Sequence, residues 1–302
     1  MVIRAAAFLA LFLALACGVP APPDVPALAA RAGTGDGDAV EVLVDLLGSG
    51  RTGELRTAAY QALVAAGPRV ARPVLEACED SDTLRREAAL ALAANLKLPG
   101  AYEKAAAALA DSTFRRRYVA AWALGELQDA RGVEPLLRAL SAEEGETAKE
   151  AARSLVKLGT AAAPAVRSAL PGLQGEARGY GLRILGEIRD PLALEALQAA
   201  LSEPAHRAEA AWALGTLGRR EAAGALRPLL NDPQWRVRLE ACRSLGLLEV
   251  QDAEADLERL KKADPVPAVR EWAARSLSLL RGEPQTFPNA LGEDVEPENL
   301  YR

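Results

Sequence analysis

The chain is poor in the residues that enzymes and metal sites lean on. It has one histidine, His206, and three cysteines, Cys17, Cys78 and Cys242, in 302 residues. No nucleophile–base pair, no Cys/His metal spacing and no glycine-rich phosphate loop occurs along it. His206 sits at a turn-to-helix junction and reads as a solvated or capping residue. Aromatic residues are only 4% of the chain, and the apolar–polar alternation of half-buried strands is absent, so no convincing strand is expected. Apolar runs are short as well. The twelve residues 5–16 fall below the roughly 20 that span a bilayer comfortably as a helix. Charge is acidic in balance, 35 basic against 41 acidic residues beyond residue 16, or −6, which disfavours non-specific binding to nucleic acid.

What the chain does have is a period. Leu63, Leu92, Leu124, Leu155, Leu185, Leu214, Leu245 and Leu277 are separated by 29, 32, 31, 30, 29, 31 and 32 residues, and each sits in a similar local phrase. The clearest copies are RYVAAWALGEL (117–127) and RAEAAWALGTL (207–217). One helical phrase per period of about thirty residues implies an array of stacked helix pairs. Four residues before the anchor leucine stand seven alanines and Gly181, small enough for close helix approach. Glycine follows the anchor at Gly125, Gly186, Gly215 and Gly246. Glycine costs about 1 kcal/mol in a helix interior, so its recurrence predicts a backbone contact that no Cβ could tolerate. Seven residues before the anchor, seven of eight copies carry arginine: Arg56, Arg85, Arg117, Arg178, Arg207, Arg238 and Arg270. This column could be an anion ladder. The better reading is architectural, with each arginine reaching loop carbonyls or the turn aspartate of an adjacent repeat.

A turn and an earlier helix precede each phrase. Asp232-Pro233, Asp264-Pro265, Asp111-Ser112 and Asp82-Thr83 are expected to cap the second helices. The first helices are expected near 42–47, 70–78, 102–109, 133–140, 163–170, 192–201, 222–230 and 253–260, with Pro135, Pro164 and Pro228 starting or kinking three of them. The fold class is therefore all-α, with about sixteen helices. Cys78 and Cys242 belong to repeats two and seven, five layers apart at about 10 Å each, too far for a disulfide. Both are expected to be small core residues.

The phrases DPQWRVRLEACRSLGLL (232–248) and DPVPAVREWAARSLSLL (264–280) resemble HEAT repeats, in the short form of phycobilisome-lyase-type HEAT-like proteins. The resemblance covers roughly 36–282. It implies an α-solenoid of about eight helix pairs wound as a right-handed superhelix, with the second helices lining the concave face. It does not decide activity, because bilin lyases and alkylpurine DNA glycosylases both use such solenoids.

The ends differ from the repeats. Arg4 followed by the apolar run 5–16 fits a secretory signal, and Ala14-Leu15-Ala16-Cys17 resembles a bacterial lipobox in which Cys17 is lipid-modified. An ordinary cleaved signal or an uncleaved anchor are the alternatives. Gly18 resembles the second mature residue of outer-membrane lipoproteins. The expected organisation is a signal peptide at 1–16, a lipidated cysteine and flexible tether at 17–38, the solenoid at 39–282, and an acidic tail at 283–302. The tail holds five acids and three prolines, with Phe287, Leu291, Leu300 and Tyr301 able to fold back over the last repeat.

Two residues before the anchor, the column varies: Gln61, Leu90, Trp122, Arg153, Arg183, Trp212, Arg243 and Arg275. On a 100° wheel it points about 160° from the anchor, away from the core. With Tyr118 one turn earlier, Trp122, Arg153, Arg183, Trp212, Arg243 and Arg275 form a candidate binding stripe on the concave face, of residue types favoured as anchors. The competing reading makes the tryptophans packing residues and pairs arginines with acids on their own helices, as Glu150 with Arg153 and Glu240 with Arg243. The expected function is a non-catalytic scaffold, lipid-anchored in the bacterial envelope, that binds a protein or extended peptide. No cofactor and no nucleic acid are expected, and the membrane is met through the anchor only. The alternatives are a HEAT-like enzyme or a purely structural envelope component.

Overall fold

The computed structural model describes residues 23–142 and 145–283, with the backbone of 287–288 and 294–295. The signal peptide, Cys17, Glu143-Glu144 and the side chains of the tail lie outside the described residues. Eight helix pairs appear at the expected places. They are α2 (Gly37–Asp45) with α3 (Gly53–Ala66), α4 (Ala71–Ala77) with α5 (Thr83–Asn95), α6 (Ala101–Ala110) with α7 (Arg117–Leu127), and α8 (Val133–Ala142) with α9 (Glu146–Leu158). The array continues with α10 (Ala163–Ala169) and α11 (Gly175–Ile188), α12 (Leu194–Ala200) and α13 (Arg207–Leu217), α14 (Ala223–Leu226) and α15 (Trp235–Leu247), and α16 (Glu254–Ala263) and α17 (Pro267–Arg281). The molecule is an all-α solenoid. It divides into two compact units, one ending at Ala123 and one beginning at Leu124.

A further helix, α1 (Val25–Gly33), stands where a tether was expected, and 37–38 open α2. The composition of 18–38 suggested a linker, but Asp24-Val25-Pro26 is a helix start. Asp24 caps the first turn by accepting from the Ala27 amide at 3.1 Å, and Pro26 fills a position where no amide is needed. Burial secures the helix: Ala32 is completely enclosed, and α1 packs on α2 and α3. Residues 25–33 are therefore helical, ahead of the expected solenoid start at 39. Among the described residues the one strand pairing is of two residues each, Phe287–Pro288 antiparallel with Asp294–Val295, outside the solenoid. Two residues are too few to leave an alternating pattern.

All eight anchor leucines are at most 1% exposed. Behind them the second helices of the second unit lie almost backbone to backbone. A Cβ on Gly215 would stand 2.2 Å from Ser244 Oγ and 2.7 Å from Ser244 Cα, and one on Gly246 would stand 2.9 Å from Ser276 Cα. Gly125 meets Ser154 and Gly186 meets Ala213 in the same way. The neighbouring serines use that proximity. Ser244 Oγ donates to the Ala211 carbonyl and Ser276 Oγ to the Cys242 carbonyl, both at 2.8 Å. Each bond satisfies a buried hydroxyl across two adjacent repeats.

The arginine column is architectural. Arg207 reaches the Leu201 carbonyl at 2.7 Å and Asp232 Oδ2 of the next repeat at 2.7 Å. Arg238 bonds the Asp232 carbonyl at 2.8 Å and both oxygens of Asp264, at 2.7 and 3.0 Å. Arg178 spans the Leu170 carbonyl and Glu203. This use of the turn aspartates qualifies the expected capping. Asp82 does cap α5, through the Leu84 and Arg85 amides. Asp232 and Asp264 instead accept from amides two residues on, Gln234 and Val266, closing the turn that leads into the helix. Pro164 lies in the first turn of α10, and Pro228 ends α14 as a short 3-10 turn.

Candidate binding groove

The second helices carry the candidate stripe, and the two units contribute to it separately. In the first unit Tyr118 is exposed and Trp122 half-buried on α7. Leu90, in the same column, is 1% exposed, so the column turns inward in repeat two. In the second unit the column is brought together as a ladder of cations and rings. Arg183 lies over Trp212 at 4.5 Å, and Arg243 lies over the same ring at 5.3 Å. Arg243 also approaches Trp272 at 6.0 Å, and Arg275 lies over Trp272 at 5.1 Å. Trp272 was not in the sequence-derived stripe. It stands three residues before Arg275, one helical turn earlier on the same face, which is the signal that could have found it.

Much of this ladder is already engaged within the protein. Arg153 Nη1 meets Glu150 Oε2 at 3.1 Å, Arg243 Nη1 meets Glu240 Oε2 at 4.0 Å, and Arg275 pairs with Glu271. These are the helix-face pairs of the competing reading. Burial pushes the Glu240 carboxyl above the usual range, against the pull of Arg243 and Arg183. Arg183 is the exception. It is exposed, stacks on Trp212 and forms no close ion pair among the described residues, although its charge acts on Glu240.

Arg183 is also where three depressions meet. One, of about 330 Å³, lies between α9 and α11 and is lined by Lys149, Arg153, Val156 and Tyr180. A second, about 370 Å³, runs past Tyr180 to His206 and Glu209. The third, about 310 Å³, lies between Trp212 and Trp235, with Leu239 and Glu240. Together they make a groove across the second helices of repeats four to seven. Trp235 is 41% exposed there, an unusual state for so large an apolar ring, with Arg236 over it at 5.5 Å. Trp235 opens α15, ten residues before the anchor and outside the columns compared, so sequence reasoning missed it.

His206 takes the N-cap position of α13 without a side-chain cap bond. Cys78 and Cys242 are buried free thiols, each pushed up to about 12 by burial, which leaves them as inert core residues. Among the described residues no group of three His, Cys, Asp or Glu is placed to hold a metal ion, and no helix is long and apolar enough to cross a membrane.

The family model for HEAT repeats matches residues 102–172, 164–234 and 194–278. Among solved structures, the CpcE–CpcF complex of phycocyanin lyase from Nostoc sp. is 26% identical over 49% of this chain and 99% of the other, with a TM-score of 0.46. Human deoxyhypusine hydroxylase is 20% identical over 82% of this chain and 97% of its own, with a TM-score of 0.35. Kap95p, solved with RanGDP, is 13% identical over 80% of this chain at a TM-score of 0.58, a likeness of fold. The present chain spans 40% of Kap95p. No curated protein matches the sequence.

Proposed function

The chain belongs to the HEAT repeat family, and from that premise we propose that it is a non-catalytic scaffold that binds a protein or extended peptide along the groove centred on Arg183. The observation that carries this reading is the pairing of an exposed arginine free of any ion pair among the described residues with an exposed tryptophan, Trp235, in one groove. Such residues are the types that anchor interfaces. Elsewhere on the ladder the guanidinium groups are already spoken for, so the partner's energy is concentrated at repeats four to seven rather than spread along all eight. An extended segment with acidic and apolar residues interleaved suits this surface. Its carboxylate would meet Arg183 and its apolar side chain would lie against Trp235. Kap95p, which shares the fold, is itself solved with a protein partner.

The same proposal places the protein in a bacterial envelope, held to the outer membrane by lipid on Cys17. The support is the sequence 4–18 alone. Fatty-acid labelling of the wild type, lost in Cys17→Ser, is the expected result, and an unlabelled wild type would remove the anchor. The groove is tested by capture of partners from membranes. Arg183→Glu combined with Trp235→Ala should lower recovery of the wild-type partner at least tenfold, about 1.4 kcal/mol. Circular dichroism should remain that of the wild type. Undiminished recovery by a folded variant would move the site off this groove, and co-purification of a tetrapyrrole would favour a lyase.

A further inference from the structure

The first unit carries a separate groove of about 640 Å³, bounded by α2, α3, α5 and the start of α7, within the size range of small-ligand sites. At its floor lies Glu87, whose side chain is 6% exposed. Its Oε2 stands 3.3 Å from Arg116 Nη1 as an ion pair, and neither carboxyl oxygen has a hydrogen-bond partner among the described residues. The repeat pattern explains the open carboxylate. Glu87 occupies the position five before the anchor, as Glu150 and Glu240 do in repeats four and seven. There the residue three further on is Arg153 or Arg243, and it pairs with the glutamate. In repeat two that residue is Leu90, which turns into the core. Glu87 is left with a single close ion pair, to Arg116 in the turn before α7, and burial pushes its carboxyl above the usual range against the pull of Arg116, Arg115 and Arg86.

The rest of the groove narrows what could complete the site. Arg56 lines it, its Nη1 held by the Arg51 carbonyl at 2.6 Å, and Arg116 is half-exposed at the rim. Two guanidinium groups against one carboxylate leave a net positive charge. A simple cation would be repelled by that charge. A simple anion would satisfy the arginines but leave Glu87 Oε1 unmatched. The remaining walls combine an apolar part, Leu47, Leu84 and Val119, with the polar Thr57, Tyr60 and Gln61. We propose that this groove binds an α-amino-acid unit with an apolar side chain. Its carboxylate meets Arg116 and Arg56, the N–H on its α-carbon donates to Glu87 Oε1, and its side chain lies on Leu47, Leu84 and Val119. A free amino acid and the C-terminal residue of a peptide share that chemistry.

The test is calorimetric titration of the full chain with leucine, N-acetylleucine, leucinamide and 4-methylpentanoate. Saturable binding at millimolar concentration or below is expected for leucine, N-acetylleucine or both. Leucinamide, which lacks the carboxylate, and 4-methylpentanoate, which lacks the N–H, should bind at least about tenfold more weakly. Binding of N-acetylleucine as tight as leucine identifies a peptide end, and binding of leucine alone identifies the free amino acid. Glu87→Gln, which keeps the shape but loses the charge, and Arg116→Gln should each weaken the binding ligand by at least about tenfold while the helical spectrum stays that of the wild type. No binding by either leucine or N-acetylleucine would overturn the proposal. So would equal binding of leucinamide or 4-methylpentanoate, or folded variants that bind as the wild type does.

Discussion

Leu214→Ala is expected to destabilise the protein by about 2–5 kcal/mol, the range for removing a fully buried leucine from a packed core. Leu214 has no exposed surface, and the helix around it cannot collapse into the space. Its neighbours Ala210, Ala211 and Ala213 are already minimal and fully buried, and Gly215 holds α13 against α15 through the contact with Ser244. The cavity therefore persists, which places the cost towards the upper end of the range. By contrast Arg183→Ala and Trp235→Ala lie on exposed surface and should stay within about 0.5 kcal/mol. Urea unfolding of the three variants measures this directly. Equal losses would mean that the core and groove faces have been exchanged.

Arg238→Ala should cost about 3–5 kcal/mol, because it strips the partner from a buried carboxylate. Asp264 is 2% exposed in its side chain and receives two hydrogen bonds from Arg238. Burial by itself opposes ionisation of Asp264. The bonds from Arg238 and the Val266 amide, with the charge of Arg270, outweigh it and hold the carboxyl below its ordinary value. A lowered folded pKa gives stability that is present above the unfolded value, about 3.9, and is lost as pH falls through the folded one. In the variant burial is left opposed by less, so the carboxyl rises and protonation relieves part of the cost. The difference between wild type and Arg238→Ala should accordingly be large at neutral pH and shrink as pH falls below the ordinary carboxylate value of about 3.9. A difference independent of pH would mean that the arginine acts by packing alone.

The repeat columns were legible because each position is constrained by the same neighbour in every repeat. Buried leucine, close-packed glycine and turn-binding arginine each recur at a fixed offset, so a single chain contains several copies of the evidence. The groove was only half legible. Helix periodicity gives the direction of a side chain, but not the reach of arginine to a ring in the next repeat. The stripe was thus expected as a free surface, whereas Arg243 and Arg275 are largely engaged internally. Trp235 lies at a helix start, ahead of the repeated phrase, where no residue type recurs to mark the position. The helix Val25–Gly33 was hidden by a composition of alanine and proline, although its aspartate and proline start signal stood in the sequence. Glu87 is distinguished only by Leu90 three residues on, where repeats four and seven carry the pairing arginine.

The central claim, that the groove of the second unit receives a partner, is most directly tested by site-specific photo-crosslinking in intact cells. Benzoylphenylalanine in place of Tyr180, between two of the depressions that meet at Arg183, is compared with the same group in place of Arg138, which is 66% exposed on the first helix of repeat four. The account predicts one discrete protein adduct from position 180 and none from position 138. Adducts from position 138 alone, or the same adducts from both, would contradict it.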